Sequence, residues 1–337
     1  MHRHIRMVCA ITVLVGSLAG CSSVLDAVGV AHSVAVTSSA TATATRTASA
    51  DPSPSDTPTE EATVDPDDRL AEALADVLPD PDGDARLSVA VFALDSGDAQ
   101  VSQDDDDDAG SGTGSSTAVY GNGSTFDTAS IVKVDILAAL LLQAQDEGRH
   151  LTAQERTYAT AMIENSDNAS ATALWQAIGG ADGLNAANER LGLTSTEAGE
   201  NGRWGLTQTT AEDQLTLLRA VFGTTESTSS GDTSSGSSSE LTESSRAYIQ
   251  ELMGHIATDQ DWGVSAAAGS GWALKNGWLQ RSTTALWDIN SIGRVTVDGR
   301  QYLVAVLSGG NASKEKGVSL VERAAKAAVS ALAQLDA

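Results

Sequence analysis

Ser130 and Lys133 stand three residues apart in the run Thr128-Ala129-Ser130-Ile131-Val132-Lys133-Val134. At a helix start that spacing puts both side chains on one face, able to share a hydrogen bond. A serine hydroxyl is a weak nucleophile at neutral pH, and a neighbouring lysine becomes a usable base only if burial or positive neighbours lower its pKa. The apolar stretch Ile131 to Leu142 would supply that burial. Further along, Ser166-Asp167-Asn168 offers a hydroxyl that can relay a proton toward a leaving nitrogen, and an amide that can orient a substrate carbonyl and Lys133. Lys275-Asn276-Gly277, on a predicted strand, offers a cation for Ser166 and a substrate carboxylate, and a glycine that lets a ligand backbone approach. Singly these patterns are weak, because Ser-x-x-Lys also reads as a cap with a surface charge, and Ser-Asp-Asn as a helix cap. Their order along one chain carries the information.

The elements that must position these groups follow from apolar spacing. Helical periodicity runs over Asp68 to Val77, from near Ser130, over Ala153 to Glu164, and over Ala169 to Ile178, where Gly179-Gly180 can take the left-handed geometry of a helix end. Leu87 to Leu94 alternates as a strand. Trp272 to Leu279, Leu286 to Val297 and Gln301 to Leu307 read as three more strands, with Asp298-Gly299 as a hairpin turn, and a helix from Lys316 to Leu335 closes the chain. One early strand, a helical middle and late strands predict an α+β fold: an antiparallel β-sheet flanked by helices with a mainly helical lobe, and termini packed side by side.

With these contexts in place, the three motifs resemble the signature of the class A β-lactamases and penicillin-binding serine hydrolases. The resemblance runs from about Asp67 to the end. It implies that Ser130 forms the acyl-enzyme, that Lys133 helps activate it, and that Ser166 passes the proton. Asn168 would hold the substrate amide, Lys275 would set the local electrostatics, and the strand residues Asn276, Gly277 and Trp278 would line the substrate site. The oxyanion would be held by the backbone N–H groups of Ser130 and Trp278.

Three departures from the family stand out. The Glu-x-x-Leu-Asn segment that positions the deacylating water is absent, and the corresponding region, Gly192 to Thr210, is shorter; Glu197 and Glu200 there read as solvated loop residues. Asn276 replaces the usual Thr or Ser. Trp278 brings an indole that could overhang the pocket, since strand alternation puts it with Asn276 on one face and Lys275 with Gly277 on the other. Trp175, Trp204, Trp262, Trp272 and Trp287 read as core or rim packing. His255 reads as structural, the five histidines lack metal-ligand spacing, and no metal or organic cofactor is expected.

Composition bounds the rest. The formal charge of −25 in 337 residues excludes phosphate-backbone binding, so nucleic acid is not an expected partner. A basic start, an apolar run from Met7 to Leu18 and Leu18-Ala19-Gly20-Cys21 resemble a lipoprotein signal, of the actinobacterial type, with lipid on Cys21. The expected organisation is a signal peptide over 1–20, a lipidated, disordered Ala/Thr/Ser/Pro tether over 21–66, and a hydrolase domain over 67–337 with low-complexity insertions near 104–116 and 223–240. A monomer held by lipid at the outer face of a bacterial cell membrane is expected, acting on a β-lactam or a peptidoglycan-like amide. A D,D-peptidase-like protein with slow deacylation, or a non-catalytic binding module on the same fold, are the alternatives.

Overall fold

Every residue from Leu87 to Ala93 is buried, Ser88 included, so the strand they form needs cover on both faces. A computed structural model, which describes residues 65–78, 83–94, 117–223 and 240–334, supplies that cover. The described residues belong to one unit, Glu61–Ala337. The predicted signal peptide, Cys21 and nearly all of the tether and of the two insertions lie outside them.

Seven strands are present among the described residues: β1 (Arg86–Leu94), β2 (Thr117–Tyr120), β3 (Phe126–Asp127), β4 (Gln208–Thr209), β5 (Gly271–Gln280), β6 (Trp287–Val297) and β7 (Arg300–Asn311). Five form an antiparallel sheet in the order β2-β1-β7-β6-β5, and β3 pairs with β4 in a separate ribbon. Asp298 and Gly299 turn β6 into β7 with φ of 50° and 85°, the two positive angles that a two-residue hairpin requires.

The helices are α1 (Pro66–Leu74), α2 (Val132–Asp146), α3 (Ala153–Glu164), α4 (Asn168–Ala177), α5 (Gly180–Leu191), α6 (Ala211–Phe222), α7 (Glu243–Met253) and α8 (Lys314–Ala333). Helix α8 packs on β1, β6 and β7 with α1 beside it, while α6 packs against the same three strands, giving an α+β molecule with its sheet covered on both faces. Helix α2 is apolar nearly all round and buried, the mark of a central helix, with α3, α4, α5 and α7 around it. That cluster is the helical lobe.

The chain turns from α4 into α5 through Gly179 and Gly180, both with positive φ, where the sequence predicts only a helix end. Gly180, Gly183, Asn185 and Asn188 are weak helix formers and mask the buried spacing Leu184, Ala187, Leu191. The closing helix begins two residues before the predicted Lys316, because the Ser313 side chain accepts from Lys316 N–H and sets the start.

Candidate active site

The segment ahead of Ser130 is clamped from two sides. Thr128 N–H donates to Thr207 O at 2.8 Å, and the Asn290 amide on β6 donates to Asp127 O and Thr128 O at 2.8 and 3.1 Å. Within that clamp Ala129 is left-handed at φ 48°, a costly conformation for a residue with a Cβ, and it delivers Ser130 into a short 3₁₀ turn that runs into α2. Gly277 on β5 lies directly against this turn: a Cβ there would stand 2.6 Å from Thr128 O and 2.8 Å from Ser130 N.

Lys133, the second residue of α2, is fully buried. Its Nζ lies 3.0 Å from Ser130 Oγ, 2.6 Å from Ser166 O, 3.0 Å from Ser166 Oγ and 2.9 Å from Asn168 Oδ1. Burial pulls its pKa down to about 7, against the opposing pull of Asp167. A neutral amine has two hydrogens and a lone pair, so it can donate to Ser166 and Asn168 and accept from the Ser130 hydroxyl. Ser166, itself left-handed at φ 54°, places its Oγ between Lys133 and the Nζ of Lys275, 3.2 Å away. Lys275 is fully buried; desolvation, helped by the charge of Lys133, pushes its pKa well down. Asp167 turns its carboxylate to cap α4 through Ser170 N–H at 2.7 Å. The structure thus gathers Ser130, Lys133, Ser166, Asn168 and Lys275 around one hydroxyl.

The three strand residues divide. Gly277 faces the Ser130 turn and Lys275 faces Ser166, whereas Asn276 is turned away and donates to Gln260 O and Trp262 O, both at 2.8 Å. Its amide donors brace the 258–267 segment rather than reaching for a substrate. The Trp278 indole packs on Trp262, with ring centroids 6.0 Å apart, and under Lys314 Nζ at 4.4 Å, the same face as Asn276. Glu197 and Glu200 are both exposed, and Glu197 engages Gln208 through its backbone.

Two features escape the sequence reading. Trp204, expected to be packing, lies over the site, its ring 5.0 Å from Lys133 Nζ and its Nε1–H donating to Thr172 Oγ1 at 3.2 Å. Asp135, in the first turn of α2, is completely buried. Its Oδ1 meets Gln214 Nε2 at 3.4 Å, while its Oδ2 and Gln214 Oε1 have no hydrogen-bond partner among the described residues. Burial raises its pKa from 3.8 to about 7. Between those values the unfolded chain has released a proton that the folded chain keeps, so this group makes stability fall as pH rises from about 4 to about 7, with no further change above. Asp135→Asn has no proton to lose and can offer a donor to Gln214 Oε1. Thermal melting at about pH 5 and about pH 8 is expected to show a smaller loss in Asp135→Asn than in wild type; equal losses would remove Asp135 as the source.

Residues 150–332 match the beta-lactamase enzyme family, and the chain belongs to it. It is a β-lactamase-like serine hydrolase, although Ser130 and Lys133 themselves precede the matched segment. A class A beta-lactamase from Bacteroides cellulosilyticus DSM 14838 is similar over 80% of this chain and 99% of that one, at 17% identity and a TM-score of 0.61. PBP-A is similar over 79% and 96%, at 20% identity and 0.59. TLA-1 extended-spectrum beta-lactamase is similar over 79% and 99%, at 15% identity and 0.62. No curated protein matches the sequence.

Proposed function

We propose that the protein is acylated on Ser130 by a β-lactam or a related peptide-like amide and releases the acyl group slowly, as a penicillin-binding, peptidase-like enzyme does. The observation that carries this is the buried Lys133 amine 3.0 Å from Ser130 Oγ. Ser130 Oγ attacks the amide carbonyl, and its proton passes to Lys133. The oxyanion forms between the N–H groups of Ser130 and Trp278. Asn276 O accepts from Lys275 Nζ at 3.0 Å, which aims that carbonyl away from β6; backbone alternation then turns Trp278 N–H, two residues on, to the same open edge of β5. As the tetrahedral intermediate collapses, the C–N bond breaks and the nitrogen takes a proton through Ser166 from Lys133, leaving an ester on Ser130.

Slow release is favoured over efficient β-lactam turnover by a specific observation: the two carboxylates of the shortened loop, Glu197 and Glu200, are solvent-exposed. Among similar structures, a single-residue mutant of PBP-A is an acyl-enzyme complex with penicillin G, a property of that protein that makes penicillin the natural probe. The folded domain incubated with fluorescent penicillin is expected to gain the mass of one penicillin, with Ser130→Ala gaining none, and nitrocefin colour should develop far more slowly than the adduct. Rapid serine-dependent nitrocefin hydrolysis would make the protein a β-lactamase in activity. Neither adduct nor turnover would favour a binding module.

A further inference from the structure

The shortened loop folds tightly on itself. A Cβ at Gly199 would fall 2.2 Å from Arg203 O, and Gly199 N–H donates to Thr207 Oγ1 at 3.1 Å. Its 3₁₀ turn, Trp204–Leu206, is seated on the nucleophile turn, so that a Cβ on Gly205 would touch Ala129 at 3.9 Å. The indole is tied to α4 through Thr172, whose hydroxyl in turn donates to Asn168 O at 3.0 Å. With its ring 5.0 Å from Lys133 Nζ, Trp204 is an apolar wall over an amine that has no exposed surface.

We propose that Trp204 is a positioning residue that keeps water from Lys133 and from the ester on Ser130, and so both holds the amine in its basic form and prolongs the acyl-enzyme. The second half rests on the acylation reading above; the first concerns Lys133 alone. Hydrolysis of the ester needs a water whose oxygen attacks the carbonyl carbon while a base takes its proton and Ser130 Oγ leaves with a proton. Glu197 and Glu200 are exposed, whereas Lys133 Nζ lies 3.0 Å from Ser130 Oγ, so in this reading Lys133 is the base, and the indole lies over it. Burial is the largest cause of the lowered Lys133 pKa, outweighing the attraction of the Asp167 carboxylate.

The test compares wild type, Trp204→Ala and Trp204→Phe. The Lys133 titration is followed by ¹³C NMR of labelled lysines, assigned with Lys133→Arg, and the adduct lifetime is followed with fluorescent penicillin. In Trp204→Ala the Lys133 midpoint should rise by about one pH unit or more, and the adduct half-life, compared at a pH above both midpoints so that the amine is neutral in each protein, should shorten by about tenfold. Trp204→Phe keeps an apolar ring and should stay near wild type in both. An unchanged midpoint in a folded Trp204→Ala overturns the proposal. A raised midpoint with an unchanged lifetime overturns its second half. If wild type forms no adduct, the acylation reading falls and the second half with it, while the NMR titration still decides the first.

Discussion

Lys133→Met is expected to slow acylation of Ser130 at neutral pH by roughly 10²–10⁴-fold, the range for loss of a positioned proton acceptor. Methionine fills much the same volume and cannot take the serine proton. Removal of the amine also strips donors from Ser166 O and Asn168 Oδ1, so some stability should go as well. The pH profile separates the two effects. In wild type the acylation rate should rise through about pH 7 as Lys133 loses its proton, because only the neutral amine can accept one. The variant should lack that limb. A variant that acylates within tenfold of wild type, with the limb intact, would assign the base to another group.

Gly277→Ala should cost nearly as much by a different route. The three atoms nearest its added Cβ, Thr128 O, Ser130 N and Ile131 N at 2.6 to 3.0 Å, are all backbone, so no side chain can swing aside. Strand β5 and the nucleophile turn must separate, which widens the gap between the N–H groups of Ser130 and Trp278. Acylation is expected to fall roughly 10²–10³-fold, as when an oxyanion donor is lost, while stability falls by about 1–3 kcal/mol from overpacking. Adduct formation by intact mass, read beside a melting curve, checks both. Normal acylation with a lowered melting temperature would mean that the oxyanion donors lie elsewhere.

The residues around Ser130 were legible because each motif is local. Three residues of helix suffice to bring Lys133 to Ser130, and strand alternation suffices to separate Gly277 from Trp278. Four strands of the sheet, β1, β5, β6 and β7, were legible because they are long and bounded by clear turns, whereas β2, only four residues long, was not. Helices α5, α6 and α7 were not read, and in α5 the weak formers hide the spacing. Neither was the role of Trp204: an indole in a Gly-rich loop looks the same in sequence whether it packs on the rim or over a lysine, and its position depends on how the loop seats on Ala129. Asp135 was passed over inside an otherwise apolar helix, where a first-turn acid ordinarily faces water.

The strand order has a consequence for how the molecule comes into being. β1 has neighbours on both sides, yet one of them is β7, and Arg86 finds Gly309 across a chain separation of roughly 220 residues. During synthesis nearly the whole domain must be made before its first long strand can find that partner. Such a topology folds slowly, and it keeps Leu87, Val89 and Val91 uncovered in the nascent chain until the C-terminal hairpin arrives. A chain cut short before Arg300 would lack the centre of its sheet.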